Sequence, residues 1–138
     1  MNARDPNLPL QADEAAALGA YSTRRWDEAI VPALTSYIAI PAKSPMFDAD
    51  WAAHGHIERV VRDAAQWVDE RKVPGLTLEV VRIDGRTPVL FFEIAGTKPG
   101  ANDAGADTVV VYGHLDKQPE FSGWRNDLGP WTPKYTDG

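Results

Sequence analysis

The chain has no cysteine among its 138 residues, which excludes disulfide bonds and thiolate metal sites. Basic residues are also few. The 14 Lys and Arg against 20 Asp and Glu give a net charge of -6, which argues against a nucleic-acid partner because phosphate binding needs clustered cations. No apolar run approaches the roughly 20 residues that span a bilayer, and the N-terminus lacks the apolar segment of a secretory signal. We therefore expect a cytoplasmic protein with no membrane partner.

The hydrophobic content of 43% is sufficient for a packed core. Residues 1–22 are predicted to form an N-terminal tail with a short helix, and residues 23–138 a partial catalytic domain. In the second part, apolar residues recur at helical spacing over about 23–40 and again over about 51–72. Pro32 lies inside the first of these helices and predicts a kink or a break there.

The pattern changes to strands in the second half of the chain. The runs 76–83 and 88–95 are rich in β-branched and aromatic residues and predict a hairpin. The run 109–112 predicts a third strand, and its continuous apolar character is typical of a strand covered on both faces. The order of elements predicts an α/β fold with a mixed β-sheet packed by helices. Two helices cover about one face, so we expect the remaining cover to come from chain beyond Gly138.

A histidine and an aspartate follow the third predicted strand, as Gly113-His114-Leu-Asp116. Ligands of open α/β sheets gather at the carboxyl ends of strands. The pattern predicts that His114 binds a metal through one ring nitrogen, while Asp116 either accepts the other ring N–H and fixes the orientation of the ring or helps to seat His114 through its backbone. In the absence of cysteine, His and carboxylate ligands suit zinc, manganese or cobalt. The alternative is a capped loop, in which His114 bonds a carbonyl and Asp116 caps a turn.

The residues around this motif carry a family resemblance. Upstream, the segment Leu34–Ser44 ends in Ile-Pro-Ala-Lys-Ser, and downstream a pattern of Pro, Trp and Asp-Gly follows: Pro119, Gly123-Trp124, Trp131-Thr-Pro133 and Asp137-Gly138. With these segments the chain resembles the co-catalytic zinc exopeptidases and deacylases, which include carnosine dipeptidases, aminoacylase, acetylornithine deacetylase and glutamate carboxypeptidase. Lys117-Gln118 and Gly129-Pro130 are similar to the dipeptidase-like branch, whereas many other members carry two valines at 117 and 118.

The resemblance implies the N-terminal part of a three-layer zinc-peptidase catalytic domain. It implies that His114 is a ligand of one of two zinc ions, that Asp116 is the catalytic aspartate orienting the site, and that the substrate is a dipeptide or an N-acyl amino acid. It also implies a homodimer formed through an inserted domain that this sequence lacks. The family's Glu-Glu pair, which supplies the general base and a further ligand, has no counterpart here. We therefore expect the 138-residue chain alone to be inactive and to bind zinc weakly.

Two further expectations stay open. The pair His54-Gly-His56 is interpreted first as exposed polar residues on the first turn of a helix, and second as a pair that captures a metal ion such as nickel. The rival to the metal-dependent hydrolase is a non-catalytic α/β module for binding or assembly. An unpaired third strand would expose an apolar edge, so strand-mediated self-association is a further expectation for the chain alone.

Overall fold

The chain divides into two compact units in the computed structural model, which describes residues 9–97, 100 and 107–136. The first unit comprises Met1–Ala39 with Asn126–Gly138, and the second comprises Ile40–Arg125. The sequence predicts a boundary between an N-terminal segment and a catalytic domain after residue 22, whereas the first helix, Ala12–Arg25, continues through that position. Residues 1–8 of the predicted tail and the Asp-Gly pair at 137–138 lie outside the described residues.

One continuous helical segment, interrupted by a π-helical turn, forms most of the first unit. Helix α1 spans Ala12–Arg25, a π-helical turn spans Trp26–Ile30, and helix α2 spans Val31–Ile38. The irregularity predicted at Pro32 takes the form of this wider turn, since proline lacks an N–H and its ring crowds the carbonyl four residues earlier. Among the described residues of this unit none is fully buried.

The second unit begins its helical part with a break that the sequence pattern does not predict. Helix α3 spans Trp51–His54 and helix α4 spans His56–Asp69, so the single predicted helix over 51–72 is divided at Gly55. Gly55 has φ 68° and stands in the left-handed region, where residues with a side chain are strained. Helix α4 turns its apolar stripe inward, and the buried residues of the unit are Ile40, Ala42, Ile57, Val60 and Val61.

The predicted hairpin is confirmed. Strand β1 spans Leu76–Val81 and pairs antiparallel with strand β2, Val89–Ile94, in the register Leu76 to Ile94 and Val81 to Val89. Helix α4 packs on this hairpin, and Arg82 forms an ion pair with Glu58 of the helix. Five of the six residues of β2 are exposed, including the neighbours Phe91 and Phe92, which lie on opposite faces of the strand.

The segment Val109–Tyr112 differs from the predicted third strand. Its four side chains are 86–89% exposed, and within the described residues the sheet has two strands, β1 and β2. A strand exists only when its backbone N–H and C=O groups meet a neighbouring strand, and no described segment supplies one here. The fold is therefore mixed α/β in the general sense. Among the described residues, no helix has the length and apolar character needed to cross a bilayer.

Candidate functional site

The loop that carries His114 is anchored at its end on the connector, residues 40–50, which precedes α3. The backbone N–H of Lys117 donates to the Ala42 carbonyl at 2.9 Å, and the N–H of Ser44 donates to the Lys117 carbonyl at 2.9 Å. These bonds form an isolated parallel bridge. Because Ala42 is buried, the bridge attaches the loop to the core of the second unit.

His114 and Asp116 are joined side chain to side chain. The His114 Nδ1 lies 3.1 Å from Oδ1 of Asp116 and 3.0 Å from the backbone oxygen of the same residue. Both oxygens accept hydrogen bonds, so Nδ1 carries the proton and Nε2 presents its lone pair. The imidazole is 64% exposed and the Asp116 side chain 35%. The two sequence interpretations named a carboxylate and a carbonyl as the partner of His114, and the ring has both.

The side chain of Lys117, directly after Asp116, reaches the start of the connector. Its Nζ donates a hydrogen bond to the Ile40 carbonyl at 2.5 Å, and the side chain is half-buried. Desolvation lowers the pKa of this ammonium group to about 8, because burial disfavours its charged form. The amine therefore holds the loop and the connector together.

An ion pair adds to the same junction. Lys43 of the connector lies 3.1 Å from a carboxylate oxygen of Glu120, beyond the loop. The two sequence segments that carry the family resemblance upstream and downstream, around 40–44 and 114–120, are thus brought together in the second unit. Within the part of the chain that the structure describes, Val109–Tyr112 forms no strand, and the hydrogen bonds that anchor the loop lie on the C-terminal side of the histidine.

A second histidine–carboxylate pair was missed by sequence reasoning. The Nδ1 of His54 lies 2.8 Å from Oδ2 of Asp48, and this hydrogen bond holds the pKa of the Asp48 carboxyl below its usual value. The rings of His54 and His56 have their centroids 5.8 Å apart. Asp48 stands six residues from His54 across a turn, so neither helical nor strand periodicity gives a signal for the contact.

The described residues supply a partial donor set for a metal. Nowhere in 9–97, 100 and 107–136 do three or more His, Cys, Asp or Glu side chains gather closely enough to hold an ion. His114 fits as one ligand with its orienting carboxylate, which is the usual arrangement around a metal-bound imidazole. A hydrolytic zinc site commonly has three protein ligands in total. The described residues do not supply the others beside His114.

Comparison with known proteins adds no family assignment. The chain matches no protein-family model, and no curated protein matches it.

Proposed function

We propose that the chain is the N-terminal part of the catalytic domain of a metal-dependent hydrolase of peptide or amide bonds, with a dipeptide or an N-acyl amino acid as substrate. The observation that carries the proposal is the hydrogen bond between His114 Nδ1 and the Asp116 carboxylate. It sets the tautomer in which Nε2 can bind a cation.

In this function His114 would hold one of two zinc ions, and manganese or cobalt would suit the same nitrogen. When bound, such a pair of ions polarises the scissile carbonyl and lowers the pKa of a water molecule. Asp116 keeps the imidazole ring in place and increases its basicity through the shared proton. The Lys117 bridge to the connector fixes the loop that carries both side chains. The proposal requires further ligands and a general base from outside these 138 residues.

A second candidate function is a non-catalytic α/β module for binding or assembly. The exposure of Val109–Tyr112 favours it, because four successive apolar side chains in solvent are typical of a surface that another segment covers. The hydrolase requires this same run to be covered by further catalytic-domain structure. The two proposals therefore differ in what covers the run and in what His114 binds.

The reading frame after Gly138 is the first test. The family resemblance places an aspartate and then a Glu-Glu pair there, and a stop codon would favour the assembly module. If the frame continues, the longer protein should hydrolyse dipeptides or N-acetyl amino acids in a zinc-dependent reaction. His114→Ala should abolish turnover, and Asp116→Asn should reduce zinc affinity by about 10–100-fold. Full activity in His114→Ala would refute the proposed role of this histidine.

A further inference from the structure

We propose that His54 and His56 form a binding site for a divalent transition-metal ion of the copper, nickel and zinc group, with Asp48 as the residue that orients His54. The inference uses neither His114 nor Asp116. It goes beyond the proposed hydrolase function and does not depend on it.

Gly55 brings the two imidazole rings together. Within one continuous helix, residues two apart point to opposite sides and do not face each other. Here α3 ends at His54, Gly55 takes φ 68°, and α4 begins at His56. This reversal places the ring centroids 5.8 Å apart, with 33° between the ring planes. The left-handed conformation of Gly55 thus allows two histidines that are two residues apart to lie side by side.

The separation of the rings suits a shared ion. A zinc–nitrogen bond of about 2.0–2.1 Å places the centroid of a coordinating imidazole roughly 3.2 Å from the metal. Two such rings at a tetrahedral angle have centroids about 5.2 Å apart, and wider angles increase this distance. The 5.8 Å observed lies within this range, so the spacing of the two rings is compatible with one shared ion.

Asp48 prepares His54 for coordination. Its Oδ2 accepts a hydrogen bond from Nδ1 of His54 at 2.8 Å, so the Nε2 lone pair is available to a cation. The Asp48 side chain is 9% exposed, whereas that of His54 is 51% exposed. A covered carboxylate behind an accessible imidazole is the arrangement that fixes the tautomer and raises the basicity of metal-binding histidines.

Two imidazoles define the class of ligand. Neutral imidazole suits zinc, copper and nickel, whereas magnesium and calcium prefer oxygen ligands. The Asp48 carboxylate is bound to Nδ1 of His54, and no three His, Cys, Asp or Glu side chains converge on one ion among the described residues, so water would fill the other coordination positions. The affinity should follow the general order for divalent ions, with Cu²⁺ tighter than Ni²⁺ and Zn²⁺.

Calorimetric titration of the 138-residue chain with CuCl₂, NiCl₂ and ZnCl₂ tests the proposal. We expect a single saturable equimolar event, lost in His54→Gln and in His56→Gln. Asp48→Asn should weaken it about 10–100-fold, since it removes only the orienting carboxylate. Asp84→Asn is the matched control for Asp48→Asn, because it makes the same change at an aspartate in the hairpin turn, and it should leave the event unchanged.

Nitrogen-15 spectra of the histidine side chains provide a readout on the unmodified chain, should a variant fail to fold by circular dichroism. Zn²⁺ should shift the Nε2 resonances of His54 and His56 together, at a lower concentration than that of His114. Three results would overturn the site: no saturable event up to about 1 mM metal, an event that persists in both His54→Gln and His56→Gln, or an event weakened as much in Asp84→Asn as in Asp48→Asn.

Discussion

Lys117 and Ile40 lie 77 positions apart in the sequence and are joined by a hydrogen bond of 2.5 Å from the lysine Nζ to the isoleucine carbonyl. Ile40 is buried at the start of the connector, and Lys117 comes directly after Asp116. The bond therefore links the core of the second unit to the loop that carries the candidate site. It places a cationic group where desolvation opposes its charge.

The stability of the second unit should depend on pH through Lys117. Its pKa is lowered to about 8 in the folded chain, from 10.5, so between these values the unfolded chain binds more protons than the folded chain. The free energy of unfolding should therefore rise as the pH increases from about 8 towards 10.5, and below 8 the desolvation cost is fully present. After allowance for solvent screening, we expect a rise of about 1 kcal/mol.

Urea unfolding across this pH range, compared between the natural chain and Lys117→Met, measures the effect. The variant keeps an unbranched side chain that is one atom shorter and cannot titrate, so its curve should lack the rise. Lys72→Met is the control, because Lys72 is 73% exposed and its pair with Asp69 is a surface ion pair of little energetic value. Parallel pH profiles for the natural chain and Lys117→Met would contradict the prediction.

Gly55→Ala should destabilise the chain by about 1–2 kcal/mol, because an alanine at φ 68° is strained in the left-handed region. An added Cβ at this position meets no atom within 4 Å, so the loss would come from the backbone and not from a clash. Gly19→Ala is the matched control. It lies inside α1 with equally open space, and we expect it to stabilise that helix by about 0.5–1 kcal/mol. Equal effects of the two substitutions in denaturant unfolding would disprove this account.

Two valine-to-alanine substitutions compare how much the core and the exposed run at Val109–Tyr112 contribute to the free energy of unfolding. Val60 is 2% exposed on α4, and Val60→Ala should reduce the free energy of unfolding by about 2 kcal/mol through lost burial and a cavity. Val110 is 86% exposed, so Val110→Ala should change it by less than about 0.5 kcal/mol. Denaturant unfolding at low protein concentration measures both. A large loss for Val110→Ala would mean that this run is packed in the folded chain.

The sequence predicts the elements whose signals are local. The apolar stripe of α4 follows from spacing and the hairpin from residue types within each segment, and both are present. The contact between His114 and Asp116 is also predictable, because two residues that close in sequence can place their side chains within hydrogen-bond distance without help from another segment. These features need no knowledge of distant segments.

The structure differs from the sequence prediction where the local conformation depends on a distant segment or on a single backbone angle. A third strand at Val109–Tyr112 requires a neighbour to bond, and an apolar run cannot specify one. The break at Gly55 rests on one φ angle between two stretches that each read as helix. The Lys117 bridge to Ala42 joins residues that no periodicity relates.

The tautomer of His114 directly tests whether the candidate site presents a free ring nitrogen to a metal ion. Because the Asp116 carboxylate and carbonyl both accept from Nδ1, nitrogen-15 spectra of the neutral ring should show Nδ1 protonated and Nε2 unprotonated. Asp116→Ala removes the carboxylate and should shift part of the population to the Nε2–H form. Asp84→Ala, in the hairpin turn, removes one equivalent charge and should leave the tautomer unchanged. A predominantly Nε2–H imidazole in the natural chain would mean that His114 does not present the nitrogen that metal coordination requires.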